Sequence, residues 1–124
     1  MNQTAQTSTD PLAAERARYG DQLDAAVQSV AAQLQAMPAV RKVVLFGSYA
    51  AGRRDLLTDL DLLVVMDSDE EFVTRNATLA GRIRCGVALD LLAYTPAEMA
   101  LMQERPFIRQ ALDNGKVLYA AAGA

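Results

Sequence analysis

The sequence predicts a mixed α+β fold, a short mixed β-sheet flanked by helices in a single domain. Three short apolar runs, residues 41–46, 60–66 and 87–94, are bounded by turn residues and are too brief to be independent helices. Before and between them lie stretches with helical periodicity or helix-start signals. The chain has 124 residues, enough for one hydrophobic core, and contains no linker or internal repeat that would divide it.

Residues 1–9 are small and polar and predict a flexible tail, leaving residues 10–124 as the folded domain. Asp10 before Pro11 reads as an N-cap with proline in the first turn. Tyr19, Leu23, Ala26, Val27, Val30, Leu34 and Met37 then recur at helical spacing, one apolar stripe that ends near Pro38. Gly20 marks a place where that helix could break. Arg41 to Phe46 predicts a buried strand, Gly47–Thr58 a loop, and Leu60 to Met66 a second strand. Ser68 with Glu71 has the spacing of a capping box and predicts a helix to about Arg84, stopped by Gly86. Val87 to Tyr94 predicts a third strand with Asp90 at its middle. Thr95, Pro96 and Glu98 repeat the helix-start pattern, Pro106 interrupts that helix, and residues 107–112 supply further helical turns closed by Asn114-Gly115, with Phe107 and Ile108 expected to dock them. Lys116 to Tyr119 predicts a last strand before a frayed alanine-rich end.

Composition narrows the chemistry. The chain has no histidine, which removes Ser-His-Asp and Cys-His catalysis and the usual zinc sites. The single cysteine, Cys85, has no partner for an internal disulfide and no imidazole to activate it, which suits a reducing cytoplasm. No apolar segment approaches the roughly 20 residues of a membrane span, and the N-terminus lacks the features of a signal peptide, so a cytoplasmic location is expected. A net charge of −3 argues against stable polynucleotide binding, while a nucleotide carried with its own cations stays compatible.

The informative stretch is "VVLFGSYAAGRRDLLTDLDLLVV", residues 43–65. Asp59 and Asp61 flank one residue of a strand and so point to one face, their Cβ atoms roughly 6–7 Å apart by strand geometry. Leu60, Leu62 and Val64 take the other face, which must be core. Alone, such a pair reads more readily as a solvated strand start than as a metal site. Asp90 is a third acid inside an apolar run, where a lone charge would be costly to bury. Carboxylates that converge repel unless a cation lies between them or one takes up a proton, and hard oxygen ligands suit magnesium or manganese. Gly47 permits a tight turn after the first strand, Ser48 offers a hydroxyl, and the neighbouring amides can cradle phosphate oxygens. Arg53 and Arg54 add positive charge beside them.

Gly47-Ser48, ten intervening residues and then Asp59-Leu60-Asp61 resemble the signature of the polymerase-β-type nucleotidyltransferases. Within them the chain is most similar to the minimal nucleotidyltransferases (MNT) that pair with HEPN-domain ribonuclease toxins. The resemblance runs from about Val43 to Tyr119, and a serine common before the acid pair is replaced here by Thr58. It implies a nucleotidyltransferase-like fold and two magnesium ions, with manganese as a substitute, held by Asp59, Asp61 and Asp90. It further implies that Asp90 draws the proton from the acceptor, and that Gly47 and Ser48 hold the β- and γ-phosphates of ATP. Arg53 is an added candidate for a phosphate or acceptor contact. The implied reaction is transfer of AMP to a hydroxyl, in this family a tyrosine of the HEPN toxin, which makes the protein an antitoxin with a hetero-oligomeric or homo-oligomeric assembly open to it. Two alternatives stand beside this reading: neutralisation of the partner by binding alone, and transfer to a small molecule of the aminoglycoside type.

Overall fold

The computed structural model describes residues 11–122. The elements follow as α1 (Ala13–Gln35), β1 (Val40–Phe46), α2 (Gly47–Ala50), β2 (Leu60–Met66), α3 (Phe72–Arg82), β3 (Leu89–Tyr94), α4 (Pro96–Met102), α5 (Pro106–Asn114) and β4 (Lys116–Ala120). The four strands form one sheet in the order β3-β2-β1-β4. β2 and β3 run parallel, and the β1–β2 and β1–β4 pairs are antiparallel, so the sheet is mixed as expected.

The predicted core stripe of α1 is real: Leu23, Ala26, Val27, Val30 and Leu34 are buried. The helix passes through Gly20 without a break. Its proposed Asp10 cap and the expected tail at residues 1–9 lie outside the described residues. α1 covers one face of the sheet together with α3, enclosing Val43, Leu45, Leu60, Leu62, Val64 and Leu79. The opposite face is closed by α4 and α5, where Val44, Phe46, Leu63, Tyr94, Ile108 and Ala111 meet. β2 is therefore buried on both sides, which is why its sequence reads as a nearly continuous apolar run. Burying each of Leu60, Leu62 and Leu63 contributes about 1.5–3 kcal/mol. No helix among the described residues is long and apolar enough to cross a membrane.

Three local expectations are corrected. The segment expected as loop from Gly47 opens with a single helical turn, α2. Ser68 and Glu71 do not form a capping box: the Ser68 hydroxyl accepts from the Glu70 amide at 3.0 Å, Glu71 occupies the N-cap position, and the helix begins at Phe72. The third strand starts at Leu89 rather than Val87, because its partner β2 starts at Leu60 and the two are in register there. The capping box at Thr95 and Glu98 is fully formed.

Glu98 does more than cap. Its carboxylate takes two hydrogen bonds from Arg75, at 2.6 and 2.9 Å, and the guanidinium also donates to the Ala93 and Glu70 carbonyls. Arg75 is 2% exposed, a buried charge made tolerable by this set of acceptors, and it ties α3 to the start of α4.

Candidate active site

β1 and β2 are paired so that Phe46 lies opposite Asp61, and β2 and β3 so that Asp61 lies opposite Asp90. Directly paired residues of neighbouring strands share a face, so Asp61 and Asp90 project together, and Asp59 enters from the residue just before β2. One carboxylate oxygen from each of Asp59, Asp61 and Asp90 lies within 4.8 Å of the other two. Asp59 and Asp61 are partly buried and Asp90 is exposed. At an effective dielectric near 20, two like charges about 5 Å apart repel by roughly 3 kcal/mol. The Asp61 carboxyl accordingly sits well above the usual carboxylate range, at about 6, through burial first and then the charges of Asp59 and Asp90.

Gly47 follows Phe46 directly and turns the chain over Asp61 with φ of +81°. A Cβ at this position would come within 2.1 Å of Asp61 Oδ2. The glycine is thus required twice, by its backbone angle and by the carboxylate packed on it. Ser48 follows, partly exposed, and its carbonyl accepts from the Arg53 amide at 2.9 Å.

The segment from α2 to the acids is pinned by Asp55, which the sequence reading did not single out. Its carboxylate accepts from Arg53 Nε at 2.7 Å, the Leu57 amide at 2.9 Å and the Thr58 hydroxyl at 3.1 Å. The Arg53 hydrogen bond leads in holding the Asp55 carboxyl below its ordinary range. The Asp-x-x-Thr spacing was the available signal for this turn. Thr58 is buried, and its carbonyl accepts from the Tyr19 hydroxyl of α1 at 2.7 Å. The Arg54 guanidinium stacks 3.7 Å from the Tyr49 ring centroid, and the Tyr49 hydroxyl donates to Asp24 of α1. Arg53 lies on the exposed side of this loop, turned toward Asp55. The six candidate residues therefore fall into two groups: Gly47, Asp61, Asp59 and Asp90 form one cluster with Ser48 beside it, and Arg53 stands at its rim.

A cavity of about 610 Å³ opens beside the cluster, with Gly47 and Asp61 on one wall and α5 on the other. Of Phe107 and Ile108, both expected to dock the last helix, Ile108 does so together with Ala111, and Phe107 is instead 59% exposed at this cavity.

Three convergent carboxylates beside a glycine turn on a short mixed sheet offer an all-oxygen donor set of the kind a divalent cation takes. Comparison with known families narrows this. Residues 28–122 match the family described as "Polymerase beta, Nucleotidyltransferase", and the chain belongs to it. Two relatives from Methanocaldococcus jannaschii, each described as a "putative protein adenylyltransferase", are similar to it. One is 31% identical over 80 residues, covering 64% of this chain and 79% of the relative. The other is 30% identical over 83 residues, covering 62% of this chain and 56% of the relative, so the chain spans little more than half of that protein. Among solved structures, a "putative nucleotidyltransferase" from Sulfolobus solfataricus aligns over 88% of this chain and 86% of its own, with a TM-score of 0.52 and 18% identity. A chain from a mutant of the MntA–HpeT toxin–antitoxin aligns more loosely, at a TM-score of 0.44 and 16% identity, over 79% of this chain and 72% of its own.

Proposed function

We propose that this nucleotidyltransferase is a metal-dependent adenylyltransferase that moves AMP from ATP to a tyrosine hydroxyl of a cognate HEPN ribonuclease toxin, and so acts as its antitoxin. The observation that carries the chemistry is the approach of three carboxylate oxygens to within 4.8 Å of one another. That donor set, all hard oxygen and strongly self-repelling, fits magnesium and, as a substitute, manganese. The relatives described as protein adenylyltransferases support a protein as the acceptor. The resemblance to minimal nucleotidyltransferases supports the HEPN toxin as that protein.

Asp59, Asp61 and Asp90 would hold the ions, which would supply positive charge to neutralise the phosphates during transfer. Gly47 and Ser48 receive the β- and γ-phosphates, the exposed glycine offering its backbone beside Asp61. Asp90, the exposed member of the trio, takes the proton from the tyrosine hydroxyl. The phenolic oxygen then bonds to the α-phosphorus, the bond from that phosphorus to the bridging oxygen breaks, and pyrophosphate leaves with that oxygen. Arg53 at the rim adds a contact to phosphate or acceptor. The chain's part is to position these groups and to neutralise charge, and the Asp55 turn and Tyr19 keep the acid-bearing segment in place.

Incubation with labelled ATP, magnesium and the partner toxin tests this. Label is expected on a toxin tyrosine, and Asp59→Asn or Asp90→Asn should abolish both labelling and protection from toxicity. If the wild type transfers no label and Asp59→Asn still protects, neutralisation is by binding alone. Label on an aminoglycoside but on no protein would replace the acceptor.

A further inference from the structure

The cavity beside Asp61 has a second wall that the proposed reaction has not used. On α5, Phe107, Gln110 and Asn114 fall at positions i, i+3 and i+7, one face of the helix, and all three line the cavity. The helix packs on the sheet through a different set, Ile108 and Ala111, which are 2% and 4% exposed. Phe107 meets Phe46 edge to face, with ring centroids 5.7 Å apart, and still leaves more than half of its surface open. Neither Gln110 nor Asn114 has a side-chain hydrogen-bond partner among the described residues. Asp61 is the one charged residue on the cavity wall among the described residues. A wall of aromatic surface and free carboxamides suits a neutral, planar, hydrogen-bonding group.

From this arrangement we infer that the α5 face is the nucleobase pocket of the triphosphate substrate and that it favours adenine. The inference rests on the nucleotidyl-transfer reading, because that reading puts the phosphates at Gly47, which lines the same cavity. Its volume of about 610 Å³ lies in the range of small-molecule sites. An exposed aromatic ring offers a stacking surface to any base. A carboxamide gives one donor and one acceptor side by side, which pairs with the N6 and N7 edge of adenine and mismatches the two acceptors of guanine. The acceptor hydroxyl is served from elsewhere. Asp90 does not line this cavity but borders a separate hollow with Asn76, Ile83 and Val87 at the β3 edge, which leaves the α5 wall to the base.

Calorimetric titration of the full chain with ATP, GTP and inorganic tripolyphosphate, each with magnesium, separates the two ends of the site. Phe107→Ala is expected to weaken ATP by roughly 5- to 100-fold, the loss of one stacked base, and to leave tripolyphosphate within twofold. Phe107→Tyr, which keeps the ring, should retain ATP affinity. Gln110→Ala and Asn114→Ala, both exposed and free of packing duties, should narrow the preference for ATP over GTP without touching tripolyphosphate. ATP affinity unchanged in all three alanine variants overturns the pocket, as does an equal loss for ATP and tripolyphosphate. A rise in the KM for the protein acceptor with ATP binding intact assigns the wall to the acceptor and overturns it too. Wild-type protein that binds neither ATP nor tripolyphosphate brings down the nucleotidyl-transfer reading itself. Tripolyphosphate bound as tightly as ATP brings down only the base pocket.

Discussion

Replacing Gly47 by alanine would set a methyl carbon 2.1 Å from Asp61 Oδ2 and 2.9 Å from its Cγ, well inside any real contact. The carboxylate or the turn must move by about an ångström to relieve it. Two costs then add. Holding a non-glycine residue at φ of +81° costs about 1–3 kcal/mol of stability. Displacing a reacting group by about 1 Å costs on the order of 100-fold in rate. Gly52 supplies the control: its φ is +101°, yet a Cβ there meets nothing within 4 Å. Gly52→Ala should therefore show the same backbone penalty in a thermal melt with AMP transfer nearly intact, whereas Gly47→Ala should lose about two orders of magnitude in kcat. Both are read from a labelled-ATP transfer assay alongside the melts. Gly47→Ala activity within a few fold of Gly52→Ala would refute the claim that the glycine exists to seat the Asp61 carboxylate.

Asp61, raised from 3.8 to about 6, binds its proton more tightly in the folded protein than in the unfolded chain, so metal-free protein should gain stability as pH falls from about 6 toward 4. Thermal melts in chelator across that range read the gain, and Asp61→Asn should remove it. Magnesium needs the ionised carboxylate, so its apparent affinity should fall as pH drops through about 6, measurable by magnesium titration of the melting temperature. Glu98→Gln leaves the buried Arg75 without its charge partner and should cost about 2–3 kcal/mol in urea denaturation at pH 7, less than a fully enclosed pair because Glu98 is partly exposed. Arg53→Ala breaks only an exposed pair with Asp55, so its melting temperature should barely shift, and a several-fold rise in the KM for ATP would mark it as a phosphate contact.

What the sequence could reveal was set by how local each signal is. The paired acids, the glycine turn and the apolar runs are nearest-neighbour patterns, and they appear where the spacing put them. Asp90 was readable because an acid inside an apolar run demands a reason. The helix start near Ser68 was not, because the Ser68 hydroxyl takes the amide two residues on, at Glu70, and the first helical bond runs instead from the Arg75 amide to the Glu71 carbonyl. The first turn of the loop, α2, is too short to show periodicity. Phe107 looked like core because aromatic residues in short helices usually are, and only the placement of Ile108 and Ala111 on the sheet decides which side of α5 stays open.

The site also follows from strand register more than from any single residue. Phe46 ends β1 opposite Asp61, so the chain leaving β1 has to turn directly above that carboxylate, and only a residue without a Cβ can do so. Asp61 in turn lies opposite Asp90 through the parallel pairing of β2 and β3, which brings residues nearly thirty positions apart into the same row. A slip of one residue in either pairing would send Asp61 to the face closed by α1 and α3, an apolar layer with no partner for it, while raising Leu60 and Leu62 into the cluster. The buried leucines that fix the register therefore also fix the acids. Leu62→Ala, which should cost about 2–5 kcal/mol by opening a cavity, is expected to weaken magnesium binding as well although Leu62 touches no ligand. A variant that loses that stability yet binds magnesium as the wild type does would show that the three carboxylates hold their positions independently of the sheet.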